Sequence, residues 1–371
     1  MRWLAAALFS FPALTLSQSL SLEDTEVSLF TIGPGKIYWQ AFGHNAITVA
    51  DPVSGFNAIY NFGIFDFTSE NFLLNFVMGK MSYRVMAFDP DADIAGYIRD
   101  ERTVTKQVLN LNAEQKRKLI EYLDWHSKPE NASYRYDYFL QNCSTKVRDA
   151  LDIALDGALK ASSEKTMTSE TFRSSLGSYS NAVAWLHLGA NIALGRPVDN
   201  QISLWSSFYL PDQLSEAVAT FATESGAALA QERIEIYEGS AANTSLLPLI
   251  FLAIGVLCLW LVHRNSWARS IWSLVSGLAG VILLLIWLLT EHWATAWNPA
   301  LIALSPLLLA LPFCTGKARK ALTFTVIISA VFALFFVRSY VQVLIVSFQI
   351  TALVLAYRAA TQSKPAVPPS G

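Results

Sequence analysis

The stretch Tyr134–Asp149 reads YRYDYFLQNCSTKVRD and centres on Cys143. The other two cysteines, Cys258 and Cys314, fall in strongly apolar C-terminal sequence and read as filler there. Asn142 is a preferred N-cap type, and Val147, Ala150, Leu151, Ala154 and Leu155 recur at helical spacing. The pattern therefore predicts an amphipathic helix with Cys143 in its first turn. Unpaired N–H groups and the positive end of the helix dipole gather there, and both favour thiolate over thiol. The alternative is a packed structural thiol, common for free cysteine, but the Asn, Ser and Thr neighbours argue for a nucleophile.

A thiol nucleophile needs a base. His126 ends an exposed helical pattern, and His187 sits in the apolar run Trp185–Gly189, where packing explains it. His44 follows Gly43 at the start of a strand pattern, where its ring can face a cleft. Asn61, with Asp51 as second choice, is the residue to orient the far ring nitrogen. Candidate oxyanion donors are the Cys143 N–H with Tyr138 or Asn142 nearby, and Arg148 of the same stretch is a candidate for positioning the oxyanion or substrate. Metal chemistry finds no support, because neither an H-E-x-x-H nor a C-x-x-C spacing occurs. Nor is a cofactor called for. Gly35-Lys36 lacks the rest of a phosphate-loop frame.

These residues must be brought together by the elements around them. Val27–Ile32 alternates weakly as a strand before the turn Gly33-Pro34-Gly35. His44–Ala50 and Phe56–Phe62 form a hairpin across Asp51–Gly55, which sets Asn61 about 5 Å from His44. Thr103–Leu111 is a further strand. Asn112 with Gln115 makes a capping box for a helix through His126, with Leu119, Ile120 and Leu123 facing inward. Residues 161–241 are polar and helix-leaning, and read as an extension of the same domain.

Of the 371 residues, 53% are hydrophobic and 15% charged, too apolar for a single soluble globule. Between Leu246 and Tyr357 stand one acid, Glu291, and six Lys or Arg. Five apolar stretches occupy this region: Leu246–Val262, Ile271–Thr290, Pro299–Phe313, Ala321–Val337 and Val341–Tyr357. Basic residues cluster after the first, third and fifth, which puts those loops inside and the preceding domain outside. The start agrees: Arg2 precedes the apolar run Trp3–Leu16, as in an export signal. A lone thiol in an oxidising compartment is a liability unless it is used. With a net charge of −2 and no basic stripe, nucleic acid is not a partner.

The motifs Gly43-His44, Tyr60-Asn61-Phe62-Gly63 and Tyr134-x-Tyr136-x-x-Phe139-x-x-Asn142-Cys143-x-Thr145-x-x-Arg148-Asp149 resemble the extracytoplasmic domain of the Lnb-type family, over about residues 25–215. Gly195-x-Pro197-x-Asp199 and Phe208-x-Leu210-Pro211-Asp212 extend the likeness. The order His before Cys is also similar to the circularly permuted branch of the NlpC/P60 (papain-like) superfamily. The resemblance implies Cys143 as nucleophile and His44 as base in a lipoprotein intramolecular transacylase. There an acyl group would pass from the glyceryl moiety to the N-terminal amine through a thioester on Cys143.

The expected architecture is α+β: a permuted papain-like extracytoplasmic domain, then an all-α five-helix transmembrane domain. Its parts are a signal peptide (1–19), the Cys–His catalytic domain (20–165), a helical extension (166–244), the membrane domain (245–358) and a cytoplasmic tail (359–371). The protein is expected in the bacterial inner membrane as a multi-pass chain with its N-terminal domain in the periplasm. Its expected partners are the lipid bilayer and a membrane lipid or lipoprotein acyl donor. A cysteine hydrolase acting on peptides or peptidoglycan, and a non-catalytic assembly factor, are the competing readings.

Overall fold

Strands that expose hydrogen-bonding edges and bury both faces need helices on each side, and this chain supplies them. In the computed structural model, residues 20–180, 183–223, 226–240 and 247–362 are described; the expected signal segment 1–19 and residues 363–371 of the tail lie outside the described residues. The chain begins with β1 (Glu26–Ile32), β2 (His44–Asp51), β3 (Phe56–Ile64), α1 (Phe72–Val77), β4 (Ser82–Phe88), α2 (Pro90–Arg99), β5 (Val104–Val108), α3 (Ala113–Ser127), β6 (Ser133–Arg135) and α4 (Cys143–Ala154). It continues through α5 (Ala158–Ser163), β7 (Met167–Thr171), α6 (Phe172–Ser180), α7 (Ala184–Ala193), β8 (Gln201–Ser203), α8 (Leu204–Ser207), α9 (Pro211–Thr220) and β9 (Ile234–Tyr237).

The main sheet has seven strands in the order β6-β4-β3-β2-β1-β5-β9, antiparallel at every pairing. Val27, Leu29, Ile47, Val49, Tyr60 and Phe62 bury one face against Leu119 and Leu123 of α3 and Val147 and Leu151 of α4. Phe30, Ile32, Ala46 and Ile59 bury the other face against Ile94, Tyr97 and Ile98 of α2. Covering both faces explains why β1 alternates so weakly in sequence: its residues from Val27 to Ile32 are all buried.

The chain after residue 165 is not a purely helical extension. β7 and β8 pair as a small second sheet, β9 extends the main sheet beside β5, and Leu214 and Val218 of α9 join the main core. The sequence pattern missed β9 because IEIY is short and its residues stay largely exposed, so it carries little periodic signal.

The C-terminal region is helical: α10 (Leu247–Arg264), α11 (Ser266–Leu289), α12 (Ala300–Ala303), α13 (Gly316–Ala333) and α14 (Tyr340–Gln362). Among the described residues, Ser266–Leu289 and Tyr340–Ala359 are long and apolar enough to cross a membrane by length and composition. The third apolar stretch is not one helix. After the short α12 it continues as a 3-10 run, Pro306–Phe313, because Pro306 and Pro312 lack the N–H that an α-helix requires. α11 compensates by close approach. A Cβ on Gly280 would come 1.8 Å from the Leu304 carbonyl, and one on Gly277 would come 2.7 Å from the Leu309 nitrogen. The Ser273 hydroxyl donates to the Leu308 carbonyl at 2.7 Å, satisfying an acceptor that the break frees.

Short loops lock the two regions together. Asn298 Nδ2 donates to the carbonyls of Ile192 and Ala193 at 2.7 and 2.9 Å, and the Gly195 N–H donates to Ala294 at 2.7 Å. The N-terminal domain therefore stands on the loops that join the apolar helices.

Candidate active site

Asn142 starts α4 as the sequence pattern requires. Its Oδ1 accepts from the Thr145 N–H at 2.9 Å, and Thr145 Oγ1 accepts from the Asn142 N–H at 2.8 Å. A cap of this kind is worth about 1 kcal/mol, and here it also sets where Cys143 begins the helix. The helix start is pinned to the sheet by Asn45: its Oδ1 accepts from the Ser144 hydroxyl at 2.7 Å, and its Nδ2 donates to Thr31 Oγ1 at 2.9 Å. Gly63 lets the thiol approach. It has φ +93° at an irregularity in β3, and a Cβ there would lie 3.6 Å from that of Cys143 and 3.9 Å from the Tyr134 hydroxyl.

His44 opens β2, and the hairpin register pairs Ala46 with Asn61. His44 Nε2 meets Asn61 Oδ1 at 2.7 Å. Asn61 is buried, and its Nδ2 donates to Asp93 Oδ2 at 2.9 Å, while the Tyr97 hydroxyl donates to the same Oδ1 at 3.2 Å. Because the Asn61 amide points its nitrogen at Asp93, its oxygen faces the ring and Nε2 is the nitrogen that carries hydrogen. Nδ1 is left for Cys143, whose charge and side chain act on the ring. Asp93 and Tyr97 lie on α2, across the sheet from α4, so the chain Cys143–His44–Asn61–Asp93 runs from one helical layer to the other.

The electrostatics favour an ion pair. Burial pushes the Cys143 thiol up, but the His44 charge, the His44 hydrogen bond and the N–H groups of Asn45 and Ser144 outweigh it, leaving the thiol below its ordinary value. Burial pushes His44 down; the Cys143 charge and hydrogen bond, with Asn61, outweigh burial and the opposing Arg102, and His44 stands above its ordinary value. Asp93 is shifted up, chiefly by burial, although Asn61, His44 and Tyr97 oppose the shift. Both shifts favour the thiolate–imidazolium pair over thiol and neutral imidazole.

Alkylation of Cys143 by a neutral haloacetamide should therefore show its inflection below that of a free cysteine. In His44→Ala the charge that does most to offset burial is gone, so the inflection should move up from the wild-type position. An inflection at the free-cysteine position, unmoved by His44→Ala, would show an ordinary thiol.

The other residues singled out in sequence lie around this pair in different ways. Both Asn142 Nδ2 hydrogens go to backbone carbonyls, of Tyr138 at 3.0 Å and Tyr209 at 2.9 Å, so Asn142 holds the helix start and has no hydrogen to offer an oxyanion. Tyr138 is partly exposed, edge-on to Tyr136 and stacked on His292. Arg148 turns away: it pairs with Asp149 at 2.7 Å and lies 3.9 Å over the Trp205 ring, which ties α4 to α8. Asp51, the second choice beside Asn61, caps its own turn through Val53 and Ser54. His126 is held by the Tyr122 carbonyl at 2.9 Å, and His187 contacts the Tyr340 hydroxyl at 3.0 Å.

Sequence reasoning passed over Asp93, Tyr97, Asn45 and Tyr134. The start of α2 was legible from Asp89-Pro90, but nothing in one chain's pattern says that its inner face lands on Asn61. Tyr134 lies at the start of the cysteine motif. Its hydroxyl is buried and makes no hydrogen bond of standard geometry, with the Gly63 amide a weak neighbour, and the Cys143 charge acts on it directly. A donor left unspent beside a nucleophile is placed for charge that develops only during reaction.

Comparison with known proteins bears on the same two regions. Residues 13–176 match the Lnb N-terminal periplasmic domain, and residues 242–364 match the Lnb transmembrane domain. The chain belongs to the Lnb family. Together the matches take in both the sheet domain with its Cys–His pair and the apolar helices, so the protein is a membrane-associated periplasmic enzyme of the Lnb type, with an inner-membrane location. No curated protein and no solved structure matches the chain.

Proposed function

We propose that this Lnb-family protein is a membrane-anchored thiol acyltransferase that moves an acyl group from the glyceryl moiety of a lipoprotein to that protein's own N-terminal amine. The observation that carries this reading is the electrostatically paired Cys143 and His44, with the ring held by Asn61 at 2.7 Å, in a periplasmic domain fixed to a transmembrane one. A helix-borne cysteine facing a strand-borne histidine, with the histidine earlier in sequence, supports a permuted papain-like domain. The apolar helices, with the third broken at its prolines, support a multi-pass membrane region of five segments.

In this reading Cys143 thiolate attacks the ester carbonyl, and the tetrahedral oxyanion accepts from Tyr134. Collapse breaks the C–O bond, and the glyceryl alkoxide takes the proton held on His44, leaving a thioester and a free hydroxyl. The amine then attacks the thioester carbonyl and gives a proton to His44. Sulfur leaves as thiolate, an amide remains, and the pair is restored to thiolate and imidazolium. Asn61 keeps the ring oriented and Asp93 orients Asn61. Asn142 places the sulfur, and Arg148 braces α4.

The test is mass spectrometry of lipoprotein N-terminal peptides from cells lacking any other N-acylating enzyme. Expression of the wild-type protein should convert diacylated free-amine termini into N-acylated lyso-forms. Free-amine termini throughout, together with altered peptidoglycan fragments, would replace this reading with that of a cysteine hydrolase.

A further inference from the structure

Part of the exposed apolar surface of the N-terminal domain gathers around Trp39, Phe67 and α1. Trp39 is 45% exposed, Phe67 56%, Leu73 72%, Leu74 59% and Val77 50%. They form one patch: the Trp39 ring lies 6.5 Å from Phe65 and 5.9 Å from Phe67, and Phe67 lies 5.1 Å from Phe72. α1, of sequence FLLNFV, contributes five apolar residues out of six and buries none of them. Contiguous apolar surface of this kind marks a binding face rather than ordinary solvent-facing sequence.

Hydrogen bonds fix the height of this face relative to the apolar helices. Just beyond the end of α11, the Glu291 N–H donates to the Met78 carbonyl at 2.9 Å, and His292 Nε2 meets the Phe76 carbonyl at 3.1 Å. Gly79 lies against the same loop, where a Cβ would come 3.1 Å from the Glu291 backbone. Lys80 and Arg135 both pair with Glu291. The exposed Trp297 lies with its ring tilted against Trp287, centroids 4.8 Å apart, beside the end of α11, and tryptophan is enriched where helices meet the membrane interface. α1 is therefore held where a spanning helix leaves the hydrocarbon.

From the patch a line of rings leads inward. Phe65 lies 5.0 Å from Tyr83, Tyr83 stacks on Tyr136 at 4.2 Å, and Tyr136 feels the Cys143 charge directly. Gly63 beside the sulfur is four residues from Phe67, at most roughly 13 Å for a fully extended chain.

We infer that the face formed by Trp39, Phe67 and α1 lies in the outer leaflet and takes lipid acyl chains, and that the donor chain reaches Cys143 along the Phe65–Tyr83–Tyr136 rings. The leaflet contact stands on the surface and its hydrogen bonds alone; the route to sulfur rests on the acyl-transfer reading. The donor would then be drawn sideways from the bilayer, with its glyceryl ester at the interface and its chains still largely in lipid.

Two measurements on the full chain separate these parts. In a Cys143→Ala, Cys258→Ala, Cys314→Ala background reconstituted in liposomes, an environment-sensitive fluorophore is attached at Leu73→Cys, Leu74→Cys or, as control, Val53→Cys on the β2–β3 turn. Labels at 73 and 74 should be quenched several-fold more by lipids brominated on their acyl chains than by aqueous iodide, with the reverse at 53. Quenching by iodide at 73 and 74, or protection from both quenchers, overturns leaflet insertion; the second outcome indicates a protein partner. This readout needs no turnover, so it cannot fail merely because the acyl-transfer reading fails. In the otherwise wild-type chain, Leu73→Glu with Leu74→Glu should lower transfer from bilayer-borne substrate at least tenfold, while Val53→Glu leaves it unchanged. Undiminished transfer by the double variant overturns the route.

Discussion

Cys143→Ala is expected to abolish formation of N-acylated lyso-lipoprotein, and Cys143→Ser to leave at most a slow residual rate. Neither substitution should unfold the domain, because the cap is made by Asn142 and Thr145 and the core by Val147 and Leu151. The serine result is the more informative. A serine hydroxyl is far harder to ionise beside His44 than a thiol already lowered by it, and an oxyester is less reactive toward an amine than a thioester. If serine acts as well as cysteine in the lipopeptide assay, the reaction does not pass through a thioester.

His44→Ala should lower the transfer rate by about 10² to 10⁴, the range for loss of a positioned general base. The pH dependence distinguishes loss of the base from loss of the fold. With thiolate and imidazolium paired, the wild-type rate falls on the acid side as the thiol protonates, at a pH below the ordinary cysteine value. It falls on the alkaline side as His44 loses its proton, at a pH above the ordinary histidine value. His44→Ala removes the alkaline limb and shifts the acid limb upward, because burial then acts on the sulfur without its counter-charge. A His44→Ala profile with the same two limbs as wild type would exclude His44 from the ion pair.

Asp93 extends this chemistry into a second layer. It is buried, its pKa is raised chiefly by that burial, and it receives the Asn61 amide. It does not touch the sulfur, and its contribution is to fix which way Asn61 points. That in turn decides which imidazole nitrogen is free for Cys143.

Local chemistry was enough to specify the separate pieces of this protein. Asn142 with Thr145, and Asn112 with Gln115, specify helix starts because an unpaired N–H within three residues must find an acceptor, and a short polar side chain can supply it. The hairpin His44–Asp51 and Phe56–Ile64 follows from its turn, and the turn fixes the register that brings Asn61 to His44. The apolar C-terminal stretches were equally legible from composition. Tertiary structure alone decided the rest. Packing of α2 on the open face of β3 brought Asp93 and Tyr97 to Asn61, a contact separated in sequence by 32 residues or more. It also spent the Asn142 amide on Tyr138 and Tyr209 carbonyls, left the Tyr134 hydroxyl unpaired beside Cys143, and drew β9 onto the sheet edge. Periodicity reports which face of an element is apolar, whereas the partner of that face depends on how layers close around a shared core, and that is a property of the whole chain.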